Sequence, residues 1–163
     1  MGRVFVASVS RRELESVYRK HFARLVRVAT AITRDEAAGA EAVQEAFVRL
    51  LRARRGYRRD GAIEGWVWRT VVNEAKRRVG QERLHRGVED EKTTDEIEEA
   101  DQATRALISS LPERQRLAVF LRYYADLDYR TIATALGVEV GTVSATLASA
   151  HQSLRAAMEG AVR

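Results

Sequence analysis

The chain has 163 residues, no cysteine, three histidines and a formal net charge of +5. The lack of cysteine excludes disulfides, thiolate catalysis and cysteine-based zinc sites, and the histidines are too scattered to suggest a metal site, so we expect no cofactor. No apolar run approaches the roughly 18 residues of a membrane span, and the opening MGRVFVASVS is too short for a signal peptide. We therefore expect a cytoplasmic protein.

Charge is distributed unevenly along the chain. Residues 1–87 hold 20 Lys or Arg against 10 Asp or Glu, residues 88–101 hold 1 against 8, and residues 102–163 hold 7 against 5. The resulting net charges are +10, −7 and +2. A basic first part, an acidic connector and a nearly neutral last part indicate three segments with different roles.

Helix-forming residues dominate the chain, and its one proline is Pro112. No strand-like alternation bounded by turn residues is evident, so the pattern predicts an all-α fold of two small helical domains. The predicted domains cover residues 1–84 and 102–163. We predict helices near residues 11–32, 36–54, 63–84, 102–110, 113–125, 129–136 and 141–158.

The second predicted helix, residues 36–54, is amphipathic. Apolar residues that recur at i, i+4, i+7 and i+8 form its core face: Val43, Phe47, Leu50 and Leu51. Its other faces carry charged and amide side chains. The pattern alone is typical of an ordinary core helix with charged flanks.

The third predicted helix begins near Ile63 and carries two tryptophans on different sides. At 100° per residue, Trp68 projects onto an apolar face, whereas Trp66 projects onto the opposite arc of about 100°. That arc also carries cations and an amide: Arg69, Asn73, Lys76 and Arg77. An aromatic ring among such groups can stack on a base while the cations bind phosphates, and the alternative is a solvated face with one half-covered tryptophan. The preceding loop YRRDG, with two more arginines and a flexible glycine, favours nucleic acid.

Residues 85–101, HRGVEDEKTTDEIEEAD, form the acidic connector. Val88 and Ile97 are its sizeable apolar residues, so it cannot bury enough surface to fold alone. We predict a flexible linker that its own charge keeps extended.

Residues 128–154 have the pattern of a helix-turn-helix. A short amphipathic helix ends at Gly137, where a helix stop needs positive φ. A second helix then repeats apolar residues at i, i+4, i+7 and i+11: Val143, Leu147, Ala150 and Leu154. This layout places a recognition helix in a DNA groove. Yet from Gly141 to Ala157 the only formal positive charge is Arg155.

Two long stretches resemble a known protein family. Residues 40–78, AEAVQEAFVRLLRARRGYRRDGAIEGWVWRTVVNEAKRR, resemble region 2 of the extracytoplasmic-function (ECF) sigma factors, the smallest members of the sigma-70 family. Residues 106–147, ALISSLPERQRLAVFLRYYADLDYRTIATALGVEVGTVSATL, look like their region 4. The motif VQEAF, a basic helix with tryptophan, the motif LPERQR and the helix-turn-helix follow each other in the order and spacing of that family. This combination is far more specific than a helix-turn-helix alone.

The resemblance implies a role in transcription initiation without catalysis. It implies an alternative sigma factor that directs the RNA polymerase core to specific promoters, recognises the −10 element and helps to melt it. No small-molecule substrate is implied, and an anti-sigma factor is an expected partner, which in this family is often anchored in the membrane. A protein of another class remains open: a sigma-like regulator or adaptor whose second domain binds protein and which does not open promoters.

The resemblance also assigns residues of the first domain. In this family the helix with the VQEAF pattern binds the clamp helices of the polymerase β′ subunit, which here points to Glu41, Gln44, Glu45, Phe47, Arg49 and Arg52. The next loop and helix recognise and help to open the −10 element, which points to Arg58, Arg59, Asp60, Trp66, Arg69, Asn73, Lys76 and Arg77. The acidic connector is expected to thread through the polymerase near its active-site cleft.

In the second domain, the resemblance implies contact with the polymerase β flap and binding of the −35 element in the major groove. The −35 candidates are Arg130, Gly141, Thr142, Ser144, Ala145, Thr146, Ser149 and Arg155. Because the recognition helix is almost uncharged, phosphate attraction is weak there, and three possibilities remain. The helix docks through its N-terminal amides, hydroxyls and small side chains, or it binds weakly and relies on the first domain, or its face binds protein. We favour the first, because the sequence GTV at residues 141–143 preserves the entry geometry.

Overall fold

The computed structural model describes residues 8–58, 61–86 and 102–161. Within these ranges the chain is helical and contains no strand, which confirms the predicted all-α class. The helices are α1 (Arg11–Thr33), α2 (Glu36–Ala53), α3 (Ile63–Arg86), α4 (Gln102–Ser109), α5 (Glu113–Val119), α6 (Tyr129–Leu136) and α7 (Val140–Ala161), and a π-helical segment, Phe120–Tyr124, directly follows α5.

The helix bounds agree closely with those predicted from periodicity, with one difference. The predicted helix 113–125 is α-helical only to Val119 and then continues as the π-helical segment, in which the Ala125 N–H donates to the Phe120 carbonyl at 3.1 Å. Apolar spacing does not reveal this change of winding. Of the predicted linker 85–101, only the first two residues are described, and they extend α3. The division into two domains therefore stays a prediction.

Capping side chains explain where several helices begin and end. Ser10 Oγ accepts from the Glu13 N–H at 3.2 Å, and the Glu13 carboxylate accepts from the Ser10 N–H at 2.8 Å, which is a capping box for α1. At α6, Asp128 Oδ1 accepts from the Thr131 N–H at 2.7 Å, and this hydrogen bond lowers the pKa of Asp128. The same helix ends at Gly137 with a φ of +65°, as predicted.

Helices α1, α2 and α3 pack against one another and share one core. Trp68 is fully buried there, as its position on the apolar arc of α3 predicted. α1 and α2 approach each other closely at Gly39, where a Cβ would lie 2.4 Å from Thr30 Oγ1 and 2.7 Å from the Thr30 backbone nitrogen. Any larger residue at Gly39 therefore has to push the two helices apart.

Replacing Gly39 with alanine should lower the free energy of unfolding by roughly 1–3 kcal/mol, because the added methyl group meets the backbone of Thr30. Gly80 provides the matched control, since it lies exposed in α3 with no heavy atom within 4 Å of an added Cβ. Gly80→Ala should raise the free energy of unfolding by about 0.5–1 kcal/mol, because alanine favours helix. Urea denaturation of both variants measures the difference. Equal midpoints for the two would contradict the close packing at Gly39.

The second group of helices is built around α5, the π-helical segment, α6 and α7. Its buried side chains include Leu121, Ile132, Val143 and Leu147, joined by the small Ala133, Ala135 and Ala150. Leu154 is half-buried against the same core. The predicted apolar face of the recognition helix α7 is thereby confirmed.

The two groups of helices contact each other through α3 and α6. A Cβ on Gly65 of α3 would lie 2.9 Å from Cγ2 of Thr134 on α6, so the helices meet at a glycine. Arg24 Nη1 of α1 adds a hydrogen bond to the Ala125 carbonyl at 3.3 Å. One side of the N-terminal half of α3 therefore packs against α6.

Candidate functional site

The residues predicted to contact the polymerase lie on α2, and most of them reach solvent. The exposed members are Glu41, Gln44, Arg49 and Arg52, and Glu45 is partly exposed. Phe47 differs, since it is 8% exposed and its ring packs edge-on against Tyr18 with 4.7 Å between the centroids. Phe47 therefore supports α2 from inside the core, and the side chains around it form the surface.

Two apolar side chains of α2 are also exposed. Val48 is 45% exposed and Leu51 is 38% exposed. The prediction that Leu51 belongs to the core face is therefore wrong, because the buried face of α2 extends toward the small residues Ala42 and Ala46, and Leu51 lies beyond its other edge. Exposed apolar side chains next to charged ones suit a surface that binds another protein.

Ion pairs join α2 to α3. The pairs are Arg78 with Glu41 at 2.7 Å, Arg78 with Glu45 at 3.0 Å, Arg77 with Glu45 at 2.9 Å and Arg49 with Glu74 at 2.9 Å. Within α3, Arg77 also pairs with Glu74. Three of the predicted polymerase-binding residues are thus tied to α3, and one of their partners, Arg77, is a predicted −10 residue. Glu74 and Arg78 were not among the predicted residues, because periodicity does not show which charges meet across helices.

The face predicted to bind the −10 element begins with two stacked aromatic rings. Trp66 is half-buried and stacks on Tyr57 of the preceding loop, with 4.2 Å between the centroids and 17° between the planes. Trp66 is therefore half-covered, and the residue that covers it, Tyr57, is also aromatic. Arg58 is exposed, whereas Arg59 and Asp60 lie outside the described residues.

The polar residues of this face follow along α3. Arg69, Asn73, Lys76 and Arg77 are all exposed, as the predicted outward arc requires. The arc is nevertheless close to the second group of helices, because Lys76 Nζ lies 4.0 Å from a Glu113 carboxylate oxygen. The Arg69 guanidinium lies beside Gly137, with Nη2 3.7 Å from where a Cβ would be.

The first turn of α3 is held to α1 by Glu64. Its Oε1 accepts from Lys20 Nζ at 3.1 Å and lies 3.2 Å from Nε2 of the buried His21. Burial opposes ionisation of Glu64, but its bonds to His21 and Lys20 outweigh that effect, so the pKa of Glu64 lies below its ordinary value. This ion pair is structural and lies outside both predicted binding faces.

The recognition helix presents a neutral surface of small side chains. The exposed −35 candidates are Gly141, Ser144, Ala145, Ser149 and Arg155 on α7 and Arg130 on α6. Thr142 and Thr146 are only half-exposed, and Thr146 Oγ1 donates to the Thr142 carbonyl at 2.7 Å. Gln115 Nε2 of α5 donates to Ser149 Oγ at 3.0 Å. The hydroxyls of this helix are therefore partly engaged within the protein.

Two tyrosines near the recognition helix were not predicted to take part. Tyr123 is 60% exposed, and its hydroxyl lies 2.8 Å from Nε2 of His151 on α7. Tyr129 is 38% exposed, and the Arg122 guanidinium lies 5.7 Å from its ring centre, which is a cation–π distance. The aromatic run RYYADLDY was the signal in the sequence that could have found them.

Among the described residues, no group of three or more His, Asp or Glu side chains is placed to hold a metal ion. Over the same ranges, no single helix is long and apolar enough to cross a membrane, and α6 with α7 meet that criterion only as a pair bent by 98°.

Comparison with known proteins assigns both groups of helices to one family. The family model for sigma-70 region 2 matches residues 17–84, and the model for sigma-70 region 4 matches residues 101–154. The ECF RNA polymerase sigma-E factor of Escherichia coli K12 is 31% identical over 134 residues, which cover 70% of this chain and 70% of that protein. This chain belongs to the ECF sigma factors of the sigma-70 family.

Two mycobacterial ECF sigma factors show similar identity. SigM of Mycobacterium tuberculosis H37Rv is 30% identical over 146 residues, which cover 86% of this chain and 74% of that protein. SigE of Mycolicibacterium smegmatis is 29% identical over 154 residues, which cover 86% of this chain and 60% of that protein. As a member of this family, the 163-residue chain is a transcription initiation factor, and the family is not enzymatic.

Two solved structures share the fold of this ECF sigma factor. CnrH, solved with the cytosolic domain of CnrY, matches with a TM-score of 0.67 and 18% identity over 93% of this chain and 90% of that one. RpoE of Bartonella quintana, solved with the anti-sigma factor NepR, matches with a TM-score of 0.70 and 17% identity over 91% of this chain and 98% of that one. The likeness extends over both groups of helices.

Proposed function

We propose that this sigma factor directs the RNA polymerase core to specific promoters and helps to melt the −10 element with the outward face of α3. One observation carries the proposal: Asn73 and the cations of α3 are exposed on the same helix as Trp66, which stacks on Tyr57 of the preceding loop. Aromatic rings that stack on bases, beside cations that bind phosphates, are the features of a surface for single-stranded nucleic acid.

The polymerase contact belongs on α2 in this proposal. Its exposed side chains would bind the clamp helices of the β′ subunit through Glu41, Gln44, Glu45, Arg49 and Arg52, with Val48 and Leu51 as apolar anchors. A centre of apolar side chains within a charged rim is the usual composition of such an interface. The second domain would contact the β flap.

Melting would proceed by capture of unstacked bases. Separating the strands costs on the order of 1.4 kcal/mol per base-pair step. Stacking of a flipped base on an aromatic side chain returns about 1–3 kcal/mol, and phosphate contacts with Arg69, Lys76 and Arg77 add to that. Asn73 is the one exposed amide on this face, and its donor and acceptor groups suit the edge of a base. No covalent step is needed.

Binding of both promoter elements requires the two domains to separate. The names of the elements place them about 25 base pairs apart, which at about 3.4 Å per base pair is on the order of 85 Å. Packed helices such as α3 and α6 lie only about 8–10 Å apart. The 15 residues from 87 to 101 could span up to about 50 Å when extended, and the two groups of helices, each roughly 25–30 Å across, would cover the remaining distance.

For the −35 element, we propose docking through small side chains and the first turn of α7. Ser144 and Ala145 are exposed just after the helix start, where N–H groups can also bind a phosphate. Arg130 and Arg155 are exposed and would supply flanking phosphate contacts. The −35 contact would contribute little to the electrostatic attraction between the protein and promoter DNA. The basic first domain would contribute most of that attraction.

Adding a cation to the recognition helix tests this docking. With Ser144→Arg, holoenzyme should bind −35 duplex DNA more tightly, and the slope of log affinity against log salt should steepen by about 1. Ser16→Arg, the same change at an exposed position of α1 outside both predicted DNA-binding faces, is the matched control and should change neither quantity. If the two variants behave alike in a salt titration, the N-terminal part of α7 does not face DNA.

We also propose that an anti-sigma factor binds this protein. One solved structure with the same fold, the Bartonella RpoE, is a complex with the anti-sigma factor NepR, and another, CnrH, was solved with the cytosolic domain of CnrY. Such a partner would compete with the polymerase for the exposed charged and apolar side chains of α2. The sigma factor itself would act in the cytoplasm, and a membrane anchor would belong to the partner.

Selection of promoter fragments tests the proposed function. Core polymerase reconstituted with this protein is expected to enrich, from random DNA, fragments with two sequence elements at a fixed spacing. Core polymerase alone provides the control. Enrichment by the free protein as strong as that by holoenzyme would contradict the proposal and indicate a simple DNA-binding repressor.

A further inference from the structure

Glu74 is the one acidic side chain in the described residues that is buried. Its side chain is 3% exposed, on the side of α3 that faces α2. A buried carboxylate is costly unless it is paired and hydrogen-bonded. Glu74 is paired twice, since Arg49 Nε lies 2.9 Å from Oε2 and Arg77 Nε donates to Oε1 at 2.8 Å.

The two guanidinium groups that share Glu74 come from helices with different proposed roles. Arg49 lies on the polymerase-binding surface of α2, and Arg77 lies on the −10 face of α3. Their side chains are 57% and 38% exposed, so both reach solvent while they remain attached to the same buried carboxylate. Glu74 itself is too buried to touch polymerase or DNA.

We propose that Glu74 is a positioning residue that orients Arg49 toward the polymerase and Arg77 toward promoter DNA at the same time. This inference rests on the proposed function. Holding both guanidinium groups from inside the domain lowers the entropy that each loses when it binds its partner. Without the charge of Glu74, Arg77 would turn toward Glu45, whose carboxylate is already 2.9 Å away, and Arg49 would lose its partner across the helices.

The primary test compares the Glu74→Gln and Glu64→Gln variants of the full chain, alone for binding of core polymerase and assembled in holoenzyme for binding of DNA. Glu64 also ties α3 to another helix, but it lies outside both binding faces, so it controls for loss of structure. Binding of purified core and of a single-stranded −10 oligonucleotide is measured by fluorescence anisotropy. Glu74→Gln should weaken both by about two- to thirtyfold, whereas Glu64→Gln should leave both within about twofold.

Double-mutant cycles distinguish positioning from a merely structural role. Arg49→Gln should weaken core binding in the parent protein but have little further effect in Glu74→Gln, and Arg77→Gln should behave likewise for oligonucleotide binding. Arg49→Gln alone, which keeps Glu74, should also weaken oligonucleotide binding, because Arg77 is then drawn inward to neutralise the carboxylate alone. This variant provides the test if Glu74→Gln does not fold.

The outcomes separate this inference from the function on which it rests. If the parent protein binds core and oligonucleotide but the cycles are additive and Arg49→Gln leaves oligonucleotide binding unchanged, the positioning role of Glu74 is overturned and the proposed function stands. If the parent protein does not bind core polymerase, the proposed function is overturned and the inference with it.

Discussion

Replacing Asn73 with alanine should remove most promoter opening while core binding stays unchanged. The side chain is exposed on the −10 face of α3, so its loss does not disturb packing. Its amide is the group on that face best suited to hydrogen-bond a flipped base, and a good side-chain contact to a base edge is worth about 1–3 kcal/mol, or about five- to 150-fold in opening. Permanganate reactivity of unpaired thymines in the −10 element measures the effect.

Gln81→Ala is the matched control for this prediction. Gln81 is also an exposed amide on α3, about two turns beyond Asn73 and one turn beyond Arg77, the last residue assigned to the −10 face. Its replacement should leave opening within about twofold, the usual range for surface changes of ±0.5 kcal/mol. If the Asn73 variant opens promoters as well as the Gln81 variant does, α3 does not read the −10 element through this face.

Locking the two domains together should abolish transcription from promoters. A Cβ on Gly65 would lie 3.1 Å from the Thr134 Cβ, close to the distance that a disulfide spans, and the chain has no other cysteine. The Gly65→Cys, Thr134→Cys variant should therefore form a single bridge between α3 and α6 on oxidation. Because the domains can then no longer reach both elements, oxidised holoenzyme should yield no promoter-dependent transcript, and reduction should restore it.

Thr134→Cys alone is the control for oxidation and for the change on α6. Its holoenzyme should give the same transcript yield with and without reductant. Full activity of the oxidised double variant, with the bridge confirmed by mass spectrometry, would show that the packed arrangement of α3 and α6 is compatible with promoter opening.

The helices and their buried faces could be predicted from the sequence because they depend on local patterns. Periodicity placed Trp68 and Val143 in the core, and a glycine at residue 137 marked the end of α6. The outward position of Asn73 followed from the same projection of α3. These features need no information about which helices meet.

The features that were missed depend on contacts between distant residues. Nothing in the pattern of α2 shows that Leu51 stays exposed, since that depends on which side of α2 the other helices pack against. The stacking of Tyr57 on Trp66 depends on how the loop folds back onto α3. The burial of Glu74 between two arginines and the contact of Gly65 with Thr134 likewise arise only when helices pack.

Run-off transcription with purified core polymerase tests the central claim most directly. With a promoter selected by the holoenzyme, this protein should produce a transcript of defined length that is absent without it and absent when the −10 element is scrambled. Binding to core polymerase without any promoter-dependent transcript would contradict the account and would instead favour a sigma-like adaptor that does not open promoters.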